Sequence, residues 1–115
     1  MTLIIGVGVD IVDLSRFKDL AASSSFRNKY FSEVEQQLNP LSLAGRFAAR
    51  EALYKASGLL KINDWQDVEI VNAINGAPEF VFKNAVAKYF ESKRVHLTIS
   101  HVPEYAISFV VIESE

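Results

Sequence analysis

Two glycines alternate with valines and lead into an acid, Gly6-Val7-Gly8-Val9-Asp10, and this run restricts the fold more than any other part of the chain. Residues 3–11 are apolar and β-rich, so the spacing predicts a first strand. Strict alternation puts Leu3, Ile5, Val7, Val9 and Ile11 on one face and Ile4, Gly6, Gly8 and Asp10 on the other. A glycine face weakens a strand unless something packs against it at short range. The fold must therefore bring a partner or a ligand close to that face, with Asp10 at its edge. A dinucleotide-binding turn is disfavoured, because the third glycine of that fingerprint is missing and Ile11 follows Asp10.

The second constraint is an alanine-rich helix. Asn39-Pro40 offers a cap followed by proline in the first turn, and Ser57-Gly58 offers a stop, which predicts a helix over residues 40–56. At ~1.5 Å per residue it spans roughly 25 Å. Ala44, Ala48, Ala49 and Ala52 mark it as mostly buried, yet it carries Glu51, with Lys55 four residues on, and a separate ridge of Arg46 and Arg50. Around it, residues 13–22 have helical spacing, and Ser23-Ser24-Ser25 breaks the pattern. Ser32 and Glu35 have capping-box form and predict a short helix through Leu38. Residues 67–72 and 79–82 read as a hairpin about Asn75-Gly76. Residues 84–91 have helical composition, and 95–100 and 105–112 read as two more strands. The expectation is an α+β class, an antiparallel sheet packed with a long central helix and shorter helices, in one domain over residues 1–115.

Half of the residues are hydrophobic, including eight Phe, four Tyr and one Trp, which is enough for a core in 115 residues. The net charge of −2 argues against a nucleic-acid binder. There is no cysteine, so thiolate metal sites and disulfides are excluded. The first residues lack the positive start of a secretory signal, and no apolar run approaches the ~20 residues of a membrane span. The expected location is the cytoplasm, with no membrane partner.

Asp10 and Glu51, two carboxylates with cations near them, are suited to hold a hard divalent ion on a polyphosphate. The competing reading of Asp10 is a helix cap, for which Asp13, just before Leu14, is better placed. A buried Glu51 needs a partner, and either a metal or Lys55 would serve. Arg46 and Arg50 are either solvated or, with Lys55, a phosphate clamp. His101 ends the strand Thr98-Ile99-Ser100-His101, a position common for binding residues, and falls on the Val95, Leu97, Ile99 face. His96 faces the other way. No HExxH or Gly-x-Ser-x-Gly occurs, which disfavours a zinc site and a serine hydrolase.

Four blocks in this order resemble the holo-acyl-carrier-protein synthase family of 4′-phosphopantetheinyl transferases. They are Gly8-Val9-Asp10-Ile11-Val12, Arg46-Phe47-Ala48-Ala49-Arg50-Glu51-Ala52 with Lys55, Asn75-Gly76-Ala77-Pro78, and Ser100-His101 with Glu104-Tyr105-Ala106. The resemblance implies Mg²⁺-dependent transfer of 4′-phosphopantetheine from coenzyme A to a serine of apo acyl carrier protein. Adenosine 3′,5′-bisphosphate is the by-product, and the setting is fatty acid and lipid metabolism. By the same resemblance Asp10 and Glu51 hold Mg²⁺ on the coenzyme A pyrophosphate, and Lys55 neutralises or protonates the leaving phosphate. Arg46 and His101, with Ser100, contact the nucleotide, Gly76 and Pro78 line the adenine pocket, and Arg16 meets the carrier protein. The bare face beside Asp10 would leave room for the pyrophosphate or pantetheine arm. The family is a homotrimer with active sites between subunits. Arg50 stands where the family more often carries lysine. The alternative is a non-catalytic oligomeric module that binds a nucleotide or acidic partner through Arg16, Arg46 and Arg50, without Mg²⁺.

Overall fold

The computed structural model describes residues 2–58, 62 and 64–114. The chain runs β1 (Ile4–Asp13), α1 (Leu14–Ala21), α2 (Ser24–Tyr30), a 3₁₀ turn (Glu35–Gln37), α3 (Pro40–Ala56), a second 3₁₀ turn (Trp65–Asp67), β2 (Val68–Asn72), β3 (Pro78–Phe82), α4 (Asn84–Phe90), β4 (Lys93–Val102) and β5 (Tyr105–Ser114). An antiparallel sheet of order β1-β5-β4 and a β2-β3 hairpin pack with the helices, so the α+β expectation holds. Among the described residues no helix is long and apolar enough to cross a membrane. Helix α3 has the expected ends, with Asn39 accepting from the Ser42 N–H at 2.9 Å and Pro40 in the first turn. Helix α2 is an addition: the serines end α1, but Ser23 also caps a new helix by accepting from the Phe26 N–H. The Ser32–Glu35 capping box forms, over a 3₁₀ turn rather than a longer helix.

Helix α3 lies across the inner face of the sheet, and small residues let it come close. A Cβ built on Gly6 would sit 1.8 Å from the Ala56 carbonyl oxygen, and one on Gly8 would sit 2.1 Å from that of Ala52. The glycine face is therefore filled by helix backbone, which corrects the expectation that it leaves room for a ligand. Ala106, Ser108, Val110 and Ile112 of β5 are buried beneath the same helix, and Ser108 Oγ donates to the Gly45 carbonyl at 2.9 Å. One core joins Ala52, Leu53, Ala56 and Val110 to Val68, Val86 and Phe90, and a second gathers Phe17, Phe31, Leu43 and Ala44.

The outer face of the sheet is different. Ile5, Val7, Val9 and Ile11 of β1 are about half exposed or more, as is Ile11 at 62%, and they sit beside Ile107 and Phe109 of β5. On β4 this face turns polar, with His96, Thr98 and Ser100 in register with Val111, Phe109 and Ile107.

Candidate active site

Asp13 settles what Asp10 is free to do. The Asp13 carboxylate accepts from the Ser15 and Arg16 N–H groups at 2.9 and 3.2 Å and so caps α1. The Ser15 hydroxyl, above all, and these backbone donors hold its pKa below the ordinary carboxylate range. Asp10, three residues earlier and half-buried, is left to face a cleft lined by Ile11, Val12, Arg16, Phe17, Leu20, Phe47 and Glu51, about 300 Å³ in volume. Strand β1 supplies the first acid and the middle of α3 the second. Lys55, one turn beyond Glu51, reaches across to Asp10: its Nζ lies 3.0 Å from Asp10 Oδ1 and 3.1 Å from the Val9 carbonyl.

Glu51 is left without such a partner. Among the described residues its carboxylate accepts no hydrogen bond and forms no ion pair. Burial, and then repulsion from Asp10, push its pKa above the ordinary range, with Lys55 pulling the other way. Asp10, Asp13 and Glu51 line this cleft against Arg16, with Lys55 on Asp10, so acids outnumber cations there.

A second cleft, of about 190 Å³, gathers Arg46, Gly76, Pro78 and His101 with Leu41, Ser42, Gly45, Asn72 and Ile99. Gly76 occupies a left-handed turn at φ +87°, which its missing Cβ permits, and the Ala77 N–H donates to Asn75 Oδ1 at 3.0 Å. His101 and Ile99 share the inner face of β4. Ser100 points to the outer face, away from this cleft. The two clefts share no lining residue within one chain.

Arg50 corrects the phosphate-clamp reading and leaves the non-catalytic alternative one arginine short. It is fully buried, its Nη2 donating to Glu35 Oε1 at 2.5 Å and to the Val68 carbonyl at 2.8 Å, with its guanidinium 5.2 Å from the Phe31 ring. Desolvation lowers its pKa and the Glu35 charge opposes that shift. The sequence reasoning also passed over Asn72, Tyr54 and Trp65, which line clefts beside Arg46 or Glu51. Only Asn72 had a signal, its place at a strand end directly opposite Pro78.

Residues 6–110 match the model of the 4′-phosphopantetheinyl transferase superfamily. The chain belongs to this superfamily. The holo-[acyl-carrier-protein] synthase of Leifsonia xyli subsp. xyli is 41% identical over 117 residues, covering 98% of this chain and 99% of that protein. Among solved structures, the Bacillus anthracis holo-(acyl-carrier-protein) synthase in complex with CoA (3′,5′-ADP) superposes with a TM-score of 0.81 at 32% identity, over 97% of this chain and 98% of its own. That from Neisseria meningitidis gives 0.86 at 31% identity, over 96% and 98%. The superfamily match runs from the glycine strand through both clefts to β5, so it covers every candidate residue named above.

Proposed function

We propose that this chain is a holo-acyl-carrier-protein synthase, moving 4′-phosphopantetheine from coenzyme A to a serine of an apo carrier protein. The observation that carries the reading is the shared cleft of Asp10 and Glu51, with Lys55 on Asp10 and Arg16 on the rim. In the transfer the serine oxygen forms a bond to the phosphorus next to pantetheine. The bond from that phosphorus to the bridging oxygen breaks, and adenosine 3′,5′-bisphosphate leaves. Such chemistry needs positioning and charge neutralisation more than covalent help.

The donor set fits Mg²⁺, which prefers one or two carboxylates plus phosphate oxygens and water. Asp10 and Glu51 would hold it: burial first, and then repulsion from Asp10, disfavour the Glu51 charge, and a cation would offset both. Once bound, the ion supplies neutralisation of the diphosphate. Water held at the site, with Glu51 beside it, would take the serine proton. Lys55, half exposed beside Asp10, would neutralise or protonate the departing phosphate. Arg46 and His101 would hold the nucleotide phosphates, Gly76 and Pro78 would line the adenine, and Arg16 would meet an acidic carrier helix.

Because the two clefts share no lining residue within one chain, we assign completion of the site to another copy. The apolar outer face of β1 and β5 is the surface we assign to that contact, in a homotrimer, with Ser100 on the same face reaching the neighbour's donor. The enzyme would work in the cytoplasm, on the carrier of fatty acid synthesis.

Mass spectrometry of an apo carrier protein incubated with this chain, coenzyme A and Mg²⁺ tests the reaction. Addition of the phosphopantetheine mass is the expected result, and an unmodified carrier under all three additions rejects the reading.

A further inference from the structure

Glu35 is the only fully buried carboxylate among the described residues, and its two oxygens are treated differently. Oε1 accepts from Arg50 Nη2 at 2.5 Å and from the Ser32 N–H at 3.1 Å. Oε2 is just as deeply buried and accepts no hydrogen bond among the described residues. A buried acceptor left without a donor costs about 1–3 kcal/mol. The cation that faces Oε2 is Arg46, whose Nη1 stands 3.6 Å away and also donates to the Ile70 carbonyl.

Arg46 is a wall between two spaces. It lines the cavity that holds Glu35, together with Val34, Leu38 and Asn72, and it lines the cleft of Gly76, Pro78 and His101. Arg50 balances the charge of Glu35, and Glu69, which lines the same cavity, has Lys83 at 3.6 Å. That leaves the Arg46 charge beside the cleft. A guanidinium carries five N–H donors in a rigid fork. With Nη1 drawn back towards Glu35 and Ile70, the other donors are free to serve the cleft side.

We infer that Glu35 is a positioning residue for the donor's nucleotide phosphates: it anchors Arg46 from behind and presents the guanidinium, already oriented, to the cleft. This rests on the coenzyme A reading above. Holding the fork before binding removes part of the ordering entropy that a free arginine would lose on meeting a phosphate. The capping box and Arg50 serve the same end by fixing Glu35 itself.

The test is calorimetric titration of adenosine 3′,5′-bisphosphate into the wild-type chain, Glu35→Gln, Arg46→Ala and the double variant. Glu35→Gln should weaken binding about tenfold, the loss of roughly one charge-assisted contact. It should add nothing further in the Arg46→Ala background, and in steady-state assays KM for coenzyme A should rise more than kcat falls. Glu35→Asp keeps the charge that Arg50 needs while shortening the reach to Arg46, so it carries the same cycle should Glu35→Gln fail to fold. Wild-type affinity in the folded Glu35 variant overturns the inference, and so do losses that multiply in the double variant. A wild-type chain that does not bind the bisphosphate rejects the nucleotide cleft itself, before any variant is compared.

Discussion

Two of the cations that helix α3 sends to acids, Arg50 and Lys55, form pairs that could hardly differ more. Arg50 and Glu35 meet in the core, both almost fully buried, at 2.5 Å. Lys55 and Asp10 meet five residues further on at the open edge of the sheet, at 3.0 Å, with the lysine side chain 49% exposed. The buried pair also donates to a backbone carbonyl and stacks near an aromatic ring, so its partners are committed. The exposed pair borders a cleft that holds a further, unpaired acid, Glu51. Solvent access, more than charge, separates a cation that stabilises the fold from one available for chemistry.

Breaking the buried pair should give the largest effect. Arg50→Ala leaves the buried Glu35 carboxylate with only Arg46, 3.6 Å away, and about 3 kcal/mol of stability should be lost in a urea titration. Replacing Arg50 and Glu35 together by apolar residues of similar size should restore much of it. Recovery absent from the double variant would mean that the pair acts through more than its charges.

The exposed pair should behave in the opposite way. Lys55→Ala should change stability by less than about 1 kcal/mol, since partly solvated ion pairs contribute little. Carrier loading should nevertheless fall by about 10²-fold or more, the usual loss for a positioned charge or proton donor. Loading at the wild-type rate would leave Lys55 as an ordinary surface lysine.

The smallest effect has the reverse sign. Glu51 has a raised pKa in the folded chain, so between the ordinary carboxylate range and the raised value the folded state binds more protons than the unfolded one. Stability therefore falls as pH rises through that window, and the penalty is complete above it. Without divalent ions, Glu51→Gln should melt slightly higher than wild type above that window. The gap should close below the ordinary carboxylate range, where Glu51 is protonated in both states. With coenzyme A already present, adding Mg²⁺ should raise the wild-type melting temperature further and leave that of Glu51→Gln nearly unchanged.

The sequence made much of this legible where the signal is local. The ends of α3 follow from Asn39-Pro40 and Ser57-Gly58, and Asp13 caps α1 because it directly precedes the helical spacing. Asp10 and Glu51 could be expected to act together, Arg16 enters only through the family resemblance, and one cleft gathers all three. Arg50 could not be read, because its burial depends on Glu35 and the Val68 carbonyl, which come from separate segments. The glycine face misled for the same reason. Alternation shows that something must approach Gly6 and Gly8, but only the packing shows that it is the backbone of Ala52 and Ala56. The 3₁₀ turn at Glu35 kept its capping box in view and hid the second oxygen, the one that faces Arg46.

The central claim is that Asp10 and Glu51 together hold a divalent ion at the donor's diphosphate. Electron paramagnetic resonance of Mn²⁺ titrated into the chain with coenzyme A present measures this directly. Wild type should bind Mn²⁺ in a coenzyme A-dependent manner, and folded Asp10→Asn and Glu51→Gln should each lose that binding. Undiminished Mn²⁺ binding in both variants would contradict the account.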